Sequence, residues 1–573
     1  MTEYFICTIG PVQEFIATAR RSRDLWFGSW MLSELSKAAA LRITTLPQPG
    51  ELIFPVFNNA TPDSIASLAA PNKIVAILPG DPAGVATEVL DAIKGRLNKL
   101  WETISIKGSF NLVVAQKQID DLIEFSWVSV PYDASAGDGY TRARSQAESV
   151  LAARKTTRNF IQPGWSSNAP KSSLDGARES VIPASAYPNK SDNPQQVEQK
   201  IQNLYKNFHA RRGEQLSGVD LLKRNGSRSQ EPDFRSTSDI AAIPFFKRLD
   251  PNTRTPLLDK LKELLPPDTD PLEGRSEGLI FESRLQDAFP SQKELVKNIK
   301  DQHRNLLKDL PTPNPYYALL AADGDFMGKY IDALPDKRSH QDTSSKLTSF
   351  ARQAEGIVKK YDGCPIYCGG DDVLAYLPLH TVLDCASELN AEFIKLWNHI
   401  EKGNTPTLSV GVAIAHHLEP LSDSLKLARD AEKSSKKVEG KNGLTIILSK
   451  RGGADRAVSG KLYDLRTRLK TLIGWFSANA ISHGAAYELQ RLHSLLSKGS
   501  MPPSGLAKEA SRILARKRES GGVNKVPLEV TETLSNWITG VIDSAGIPAN
   551  PPQPMPLDEL ARLMIIAAFL ATK

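Results

Sequence analysis

The stretch Pro365-Ile366-Tyr367-Cys368-Gly369-Gly370-Asp371-Asp372-Val373-Leu374-Ala375-Tyr376-Leu377 decides the fold. Two apolar, β-prone arms flank a Gly-Gly pair, and glycine suits the positive φ angles of a two-residue hairpin turn. The pattern predicts a β-hairpin with its turn at Gly369-Gly370 and two carboxylates directly after it. Asp is a poor strand residue, and adjacent negative charges repel. A bound cation would offset that cost.

Upstream, Tyr316-Tyr317-Ala318-Leu319-Leu320-Ala321-Ala322 reads as a buried strand that ends in Asp323-Gly324-Asp325, followed by Phe326-Met327-Gly328-Lys329. A carboxylate at a strand end, beside a hairpin carrying two more, makes an all-oxygen cage. Hard divalent cations such as Mg²⁺ prefer such ligands and share them with substrate phosphates. Two ions about 3.5–4 Å apart can activate an attacking hydroxyl and neutralise a leaving pyrophosphate. A solvated turn and a polar loop would each explain one motif alone. Together, each against an apolar strand, they argue for a metal site at Asp323, Asp371 and Asp372.

The 573 residues predict about three to five domains. Hydrophobic content of 40% and charged content of 24% are those of soluble globular protein. The four cysteines (Cys7, Cys364, Cys368, Cys385) form no C-x-x-C pair. That argues against a zinc ribbon or a disulfide framework, and for a reducing cytoplasm. No signal peptide is visible at the start, and the apolar run Leu563 to Leu570 is too short to span a bilayer. Residues 141–230 hold fifteen Lys/Arg against seven Asp/Glu, with Phe160, Trp165, Tyr187, Tyr205 and Phe208 interspersed. Such a segment could track a phosphate backbone or be a solvated basic surface.

Taken in order, residues 3–9 alternate into a strand, and Gly10-Pro11 opens a helix to Trp26, with a second from Ser29 to Leu41. Strands at 52–54, 73–78 and 125–130 surround a helix at 84–103. This β-α-β-β-α-β order suggests a ferredoxin-like sandwich. The order recurs: strand 316–322, helix 343–361, hairpin strands 365–368 and 373–377, helix 381–400, strand 407–415, helix 421–437 and strand 444–448. The first copy has Ile9-Gly10-Pro11-Val12 where the second has Asp323-Gly324-Asp325-Phe326, so it is chemically silent and could supply one wall of the pocket. The predicted fold class is α+β. Residues 1–135 form the first palm, 136–311 a mixed basic insertion and connector (helical near 142–158 and 194–213), 312–454 the second palm, and 455–573 a helical domain. Residues 250–292, rich in Pro, Asp and Gly, read as a variable connector. In the helical domain Leu462, Leu465, Leu469 and Leu472 line one face, as do Leu489, Leu492 and Leu496, the pattern of a core or docking stripe.

Ile9 to Ser29 (Ile-Gly-Pro-Val-Gln-Glu-Phe-Ile-Ala-Thr-Ala-Arg-Arg-Ser-Arg-Asp-Leu-Trp-Phe-Gly-Ser) resembles the first palm domain of the Cas-ten proteins, large subunits of type III CRISPR effector complexes, in their Cmr (III-B) branch. Lys171-Ser172-Ser173-Leu174-Asp175-Gly176, Ser217-Gly218-Val219-Asp220-Leu221-Leu222-Lys223-Arg224, and the two acidic motifs resemble it too. The resemblance covers most of the chain and is weakest over 250–311 and after 455. It implies two palm domains similar to nucleotide cyclases and GGDEF enzymes, the active one making cyclic oligoadenylates from ATP with Mg²⁺ or Mn²⁺ when target RNA is held. It implies Asp323 and Asp371 as metal ligands with Asp372 beside them, and backbone amides at Gly324, Asp325, Phe326 and Gly328 around the phosphates. Gly369 and Gly370 would admit the base or ribose, Lys436 would meet the triphosphate, and Ser29 would touch a second nucleotide. For Lys436, an exposed helix lysine beside Lys433 and Lys437 is the alternative.

The resemblance further implies crRNA and target RNA as partners within a multisubunit ribonucleoprotein, with other Cmr subunits, among them a small helical subunit and the subunit that binds the crRNA 5′ end. Many members carry an HD nuclease domain and a zinc-binding insertion. Here no His-Asp dipeptide occurs and no cysteine lies between Cys7 and Cys364, so neither DNase activity nor structural zinc is expected, unless another polypeptide supplies the nuclease. A catalytically silent scaffold subunit is the alternative function, and a diguanylate cyclase the third.

Overall fold

A computed structural model describes residues 2–57, 70–157, 168–226, 234–264, 277–284, 293–397, 405–496, 501–516, 526–540 and 555–571. The first half opens with β1 (Glu3–Gly10), a short helix α1 (Gln13–Ala17) and a long one, α2 (Ser22–Thr44). Then come β2 (Glu51–Phe54), β3 (Lys73–Leu78), α3 (Pro82–Glu102), α4 (Leu112–Asp120) and β4 (Glu124–Pro131). The four strands pair antiparallel in the order β2-β3-β1-β4, the ferredoxin-like arrangement expected from the sequence. Helices α5 (Gly139–Thr156), α6 (Pro194–Phe208), α7 (Gly218–Asn225), α8 (Thr237–Arg248), α9 (Pro251–Glu263) and α10 (Lys293–Leu307) follow.

The second half contains β5 (Tyr316–Asp325), α11 (Met327–Asp332), α12 (Lys337–Lys360), β6 (Cys364–Gly369), β7 (Asp372–Leu377) and α13 (Val382–Lys395). It continues with β8 (Thr407–His416), α14 (Leu421–Ser435), β9 (Gly443–Leu448) and β10 (Arg456–Lys461). The order β6-β7-β5-β8 repeats that of the first sheet; β9 then joins β8 in parallel, and β10 closes the edge antiparallel to β9. Helices α15 (Leu462–Ser477), α16 (His483–Leu496), α17 (Pro503–Arg516), α18 (Leu528–Thr539) and α19 (Leu557–Ala571) end the chain. Among the described residues no helix is long and apolar enough to cross a membrane.

The second sheet is buried on both faces, which is why β5 reads as a continuous apolar run rather than an alternating one. Tyr317, Leu319, Ala321, Leu374 and Tyr376 share one core with Phe5, Trp26 and Met31 of the first half. Ala318, Leu320, Ala322, Val373 and Ala375 face the other way, into a core with α12, α13 and the C-terminal helices. The stripe Leu462, Leu465, Leu469 and Leu472 lies in this second core, as does Leu489; Leu492 is only partly buried.

Three motif stretches of the sequence converge on one buried polar cluster. Ser172 Oγ and Ser217 Oγ each donate to Asp220 Oδ2 at 2.7 Å. Lys223, 1% exposed, donates to the carbonyls of Phe15 and Thr18 at 2.6 Å each. Arg224 Nε and Nη2 donate to the two oxygens of Asp24 at 2.8 and 2.9 Å, and its Nη1 to Glu214 Oε2 at 3.0 Å. The insertion is thereby fastened to the α1–α2 junction. Burial draws the Lys223 ammonium down to about 8, against the pull of Asp24 and Asp220.

The structure departs from the sequence reading in several places. One helix was expected to reach Trp26 and a second to start at Ser29. Instead α1 ends at Ala17, where Lys223 takes its last carbonyls, and α2 runs unbroken through Gly28. A Cβ at Gly28 would lie 3.2 Å from the Phe15 ring and 3.3 Å from Lys223, so this glycine serves close packing rather than a break. The 250–292 connector contains α9, which Asp250 caps by accepting from Asn252 and Thr253 and which Pro251 starts. The all-helical tail begins with a strand, β10, anchored by buried Val458. Of the aromatics in the basic segment, Tyr187 and Phe208 are core residues, and Arg21 lies over the ring of half-buried Tyr205. Phe160 and Trp165 lie outside the described residues.

Candidate active site

The acidic hairpin is present, but its turn sits one residue later than predicted. Gly369 pairs with Asp372, leaving Gly370 and Asp371 as the central residues. Only Gly370 takes a positive φ, +63°, the φ pattern of a turn with glycine first. Gly369 lies under Tyr367: a Cβ there would stand 2.3 Å from the phenol oxygen. Its side-chain-free face is therefore filled by the protein itself, whereas Gly370 has nothing within 4 Å and remains open to a ligand.

The turn carries Asp371 onto the end of β5. A Cβ built on Gly324 would fall 2.6 Å from Asp371 Oδ2, 2.8 Å from its Cβ and 2.7 Å from Met327. Gly324 is thus required for the Asp371 carboxylate to lie against the Asp-Gly-Asp strand end. Beside it, Asp323 forms an ion pair with Lys436, the C-terminal cap residue of α14. Glu432, one turn earlier on the same helix, stands 3.6 Å from the Lys436 ammonium. Asp372 stands at the start of β7 and feels Arg429 of α14.

The electrostatics are those of crowded carboxylates. Burial, then Asp372, pushes Asp371 up to about 6. Desolvation also lifts Asp372, against the pull of Arg429, and desolvation and Asp372 lift Glu432. Burial and neighbouring Lys441 bring Lys436 down to about 8.

The acidic cage expected from the sequence is not preassembled. Among the described residues no three His, Cys, Asp or Glu side chains form a metal-binding group. Like charges spread when only an ammonium balances them, and here Lys436 takes the Asp323 oxygen. The donors nonetheless suit a hard divalent cation: Asp323 and Asp371 offer carboxylate oxygens on either side of Gly324, and the raised carboxyls mark negative charge that such an ion would relieve.

Four other expected residues are placed as follows. Asp325 is fully buried and accepts hydrogen bonds from Thr407, Ser409 and the Asn442 amide, so its carboxylate faces the protein. Phe326 adopts φ +62° with the Lys441 ammonium 4.4 Å above its ring. Gly328 is open, with nothing within 4 Å. Ser29 is 3% exposed in the packed length of α2, which offers a nucleotide no hydroxyl in this conformation. Glu432, Arg429, Lys441 and Tyr367 were not singled out from the sequence. The i, i+4 spacing of Glu432 and Lys436 was the one available signal.

The first half also meets α14, away from the acidic residues of the site. Ile16 and Ala17 of α1 face Leu425, Lys426, Arg429 and Lys433 across a cleft of about 290 Å³.

Residues 316–445 match the family described as Cas10/Cmr2, second palm domain. Residues 4–105 match that of the CRISPR-associated protein Cmr2, N-terminal. The chain is thus similar to Cmr2 through both of its sheets. A curated relative, the CRISPR system Cmr subunit Cmr2 of Pyrococcus furiosus, is 25% identical over 533 residues, 78% of this chain and 61% of the relative. The chain therefore spans less than two thirds of that relative's length. Among solved structures, chains of a type III-B Cmr-beta complex share the fold over the whole chain. The apo state gives a TM-score of 0.63 at 16% identity, covering 82% of that chain. The state bound to cognate target RNA gives 0.66 at 14% identity, covering 83%.

Proposed function

We propose that this chain is the large, Cmr2-type subunit of a type III-B CRISPR effector, and that its second palm links ATP into cyclic oligoadenylates when target RNA is held. The observation that carries this reading is the meeting of Asp371 with Gly324 beside the Asp323–Lys436 pair, at a sheet end within the segment matched by the Cas10/Cmr2 palm. The partners that follow are crRNA, target RNA and the other subunits of such a complex.

Asp323 and Asp371 are the residues that would hold divalent cations, with Asp372 at their side. Bound there, Mg²⁺ or Mn²⁺ supplies charge neutralisation at the phosphoryl oxygens and activation of the attacking 3′-hydroxyl. Lys436, once parted from Asp323, is a point charge for the triphosphate. Open Gly370 leaves room for a nucleotide against the hairpin. Positioning of the two nucleotides would supply much of the acceleration in such a phosphoryl transfer.

A catalytically silent scaffold is the second reading, favoured by the Lys436 ammonium already neutralising Asp323. The assembled complex, given ATP, Mg²⁺ or Mn²⁺ and complementary target RNA, separates the two. RNA-dependent product that vanishes in an Asp371→Ala, Asp372→Ala double variant supports synthesis. RNA binding without product under either ion supports the scaffold.

A further inference from the structure

Behind the acidic strand end lies a short run of unusual backbone. Gly440, Lys441 and Asn442 are consecutive left-handed residues, with φ of +65°, +53° and +52°. A lysine rarely adopts this conformation unless its surroundings impose it. Here the surroundings do impose it. The Asn442 amide donates to Asp325 Oδ2 at 3.0 Å. Asn390 Nδ2 donates to Asn442 Oδ1 at 2.6 Å, and Lys461 Nζ to the Lys441 carbonyl at 2.8 Å. The Gly443 amide donates to Ser409 Oγ at 3.2 Å, and that hydroxyl in turn donates to Asp325.

The centre of this arrangement is Asp325. Its carboxylate is 0% exposed and accepts from Thr407 Oγ1 at 2.7 Å, from Ser409 Oγ at 2.8 and 3.0 Å, and from the Asn442 amide. No cation contact is needed to satisfy it, because three neutral donors from β8 and the turn surround it. What the turn does with this support is visible at Lys441. Its ammonium is carried back over the ring of Phe326, 4.4 Å from the centroid, at the junction where β5 leaves the Asp323-Gly324-Asp325 strand end. There it adds to the positive field on Lys436, the partner of Asp323.

The geometry points to Asp325 as a positioning residue: it holds the left-handed Gly440–Asn442 turn that presents Lys441 as a second cation, beside Lys436, for the phosphate groups of a nucleotide. The inference rests on the nucleotide-binding reading of the palm and deepens it. It gives the two aspartates of one Asp-Gly-Asp motif different work. Asp323 faces the substrate side, and Asp325 braces the loop behind it.

The test is a double-variant cycle on the full chain in its complex, read as affinity for a non-hydrolysable ATP analogue with Mg²⁺. Lys441→Met is expected to weaken binding about tenfold, the loss of one charge-assisted contact, and Lys441→Arg to stay within about threefold of the native chain. Asp325→Asn is expected to weaken binding by a similar factor. The Asp325→Asn, Lys441→Met double is expected to bind no worse than the weaker single variant. If Asp325→Asn does not fold, Thr407→Val removes one of the donors to the same carboxylate and replaces it in the cycle. Two outcomes overturn the inference while leaving the nucleotide site standing: unchanged affinity in the Asp325 or Lys441 variants, or losses that multiply in the double. A native complex that binds no nucleotide overturns the site and the inference together.

Discussion

Replacing Arg224 by Met is expected to reverse how the fold responds to acid. The native guanidinium is 1% exposed and bonded to Asp24 at 2.8 and 2.9 Å and to Glu214 at 3.0 Å. Burial opposes ionisation of Glu214, but Arg224 and Arg21 outweigh it and hold the carboxyl down to about 2, from an ordinary 4.5. A depressed folded pKa means stability that is present above pH 4.5 and lost as pH falls towards 2. A drop of that size corresponds to ~3 kcal/mol at neutral pH. Without Arg224, Asp24 (0% exposed) and Glu214 lack their main counter-charge. Breaking a buried pair in this way costs about 3–5 kcal/mol, and burial, no longer opposed by Arg224, then lifts the stranded Glu214 carboxyl. The variant should therefore melt well below the native chain at pH 7.5, and the gap should narrow at pH 5.5, where Glu214 takes up a proton. Thermal melts of both proteins at the two pH values decide it. A gap that is the same at both, or wider in acid, would refute the assignment of Arg224 as the counter-charge of this cluster.

Gly324→Ala should reduce product formation by about 100-fold or more and lower the melting temperature by a few degrees, because its methyl group would overlap the Asp371 carboxylate and buried Met327; near-native turnover would disprove the contact. Asp371→Asn should raise the melting temperature by a few degrees at pH 7.5 while abolishing turnover, since burial and Asp372 disfavour the ionised form there; a lower melting temperature would count against the crowded-charge account. Lys436→Met should weaken nucleotide binding about tenfold, measured as an equilibrium affinity, and an unchanged affinity would leave the residue as a mere partner of Asp323. Stripping divalent ions with a chelator should stop synthesis and leave the melting temperature unaltered, because Arg224 itself balances the buried Asp24 and Glu214.

What could be read in advance followed from local pattern. β3 was expected at the residues where it lies, because Lys73–Leu78 is an apolar run between turn residues. Strands β5 to β9 of the second sheet were legible for the same reason. The unread features depend on partners far along the chain. α1 stops because Lys223, more than two hundred residues away in sequence, takes its carbonyls. The burial of the Asp325 carboxylate was not legible because its donors, Thr407, Ser409 and Asn442, stand 82, 84 and 117 positions downstream. The shift of the hairpin turn to Gly370 goes with the Tyr367 ring lying on Gly369, a packing choice that a Gly-Gly pair leaves open. Strand β10 escaped notice because Arg456–Lys461 carries a single strongly apolar residue, Val458, and is completed by its ladder to β9.

The shared core of the two sheets bears on how such a chain can change over generations. A repeated fold invites treatment as two exchangeable cassettes, each free to be swapped on its own. Here the first sheet and its helix lend Phe5, Trp26 and Met31 to the face of the second sheet that holds Tyr317, Leu319 and Tyr376. Deleting them would lay that face bare to solvent and invite aggregation. The two halves thus fold as partners, and recombination between relatives should respect the pair as one inheritance unit.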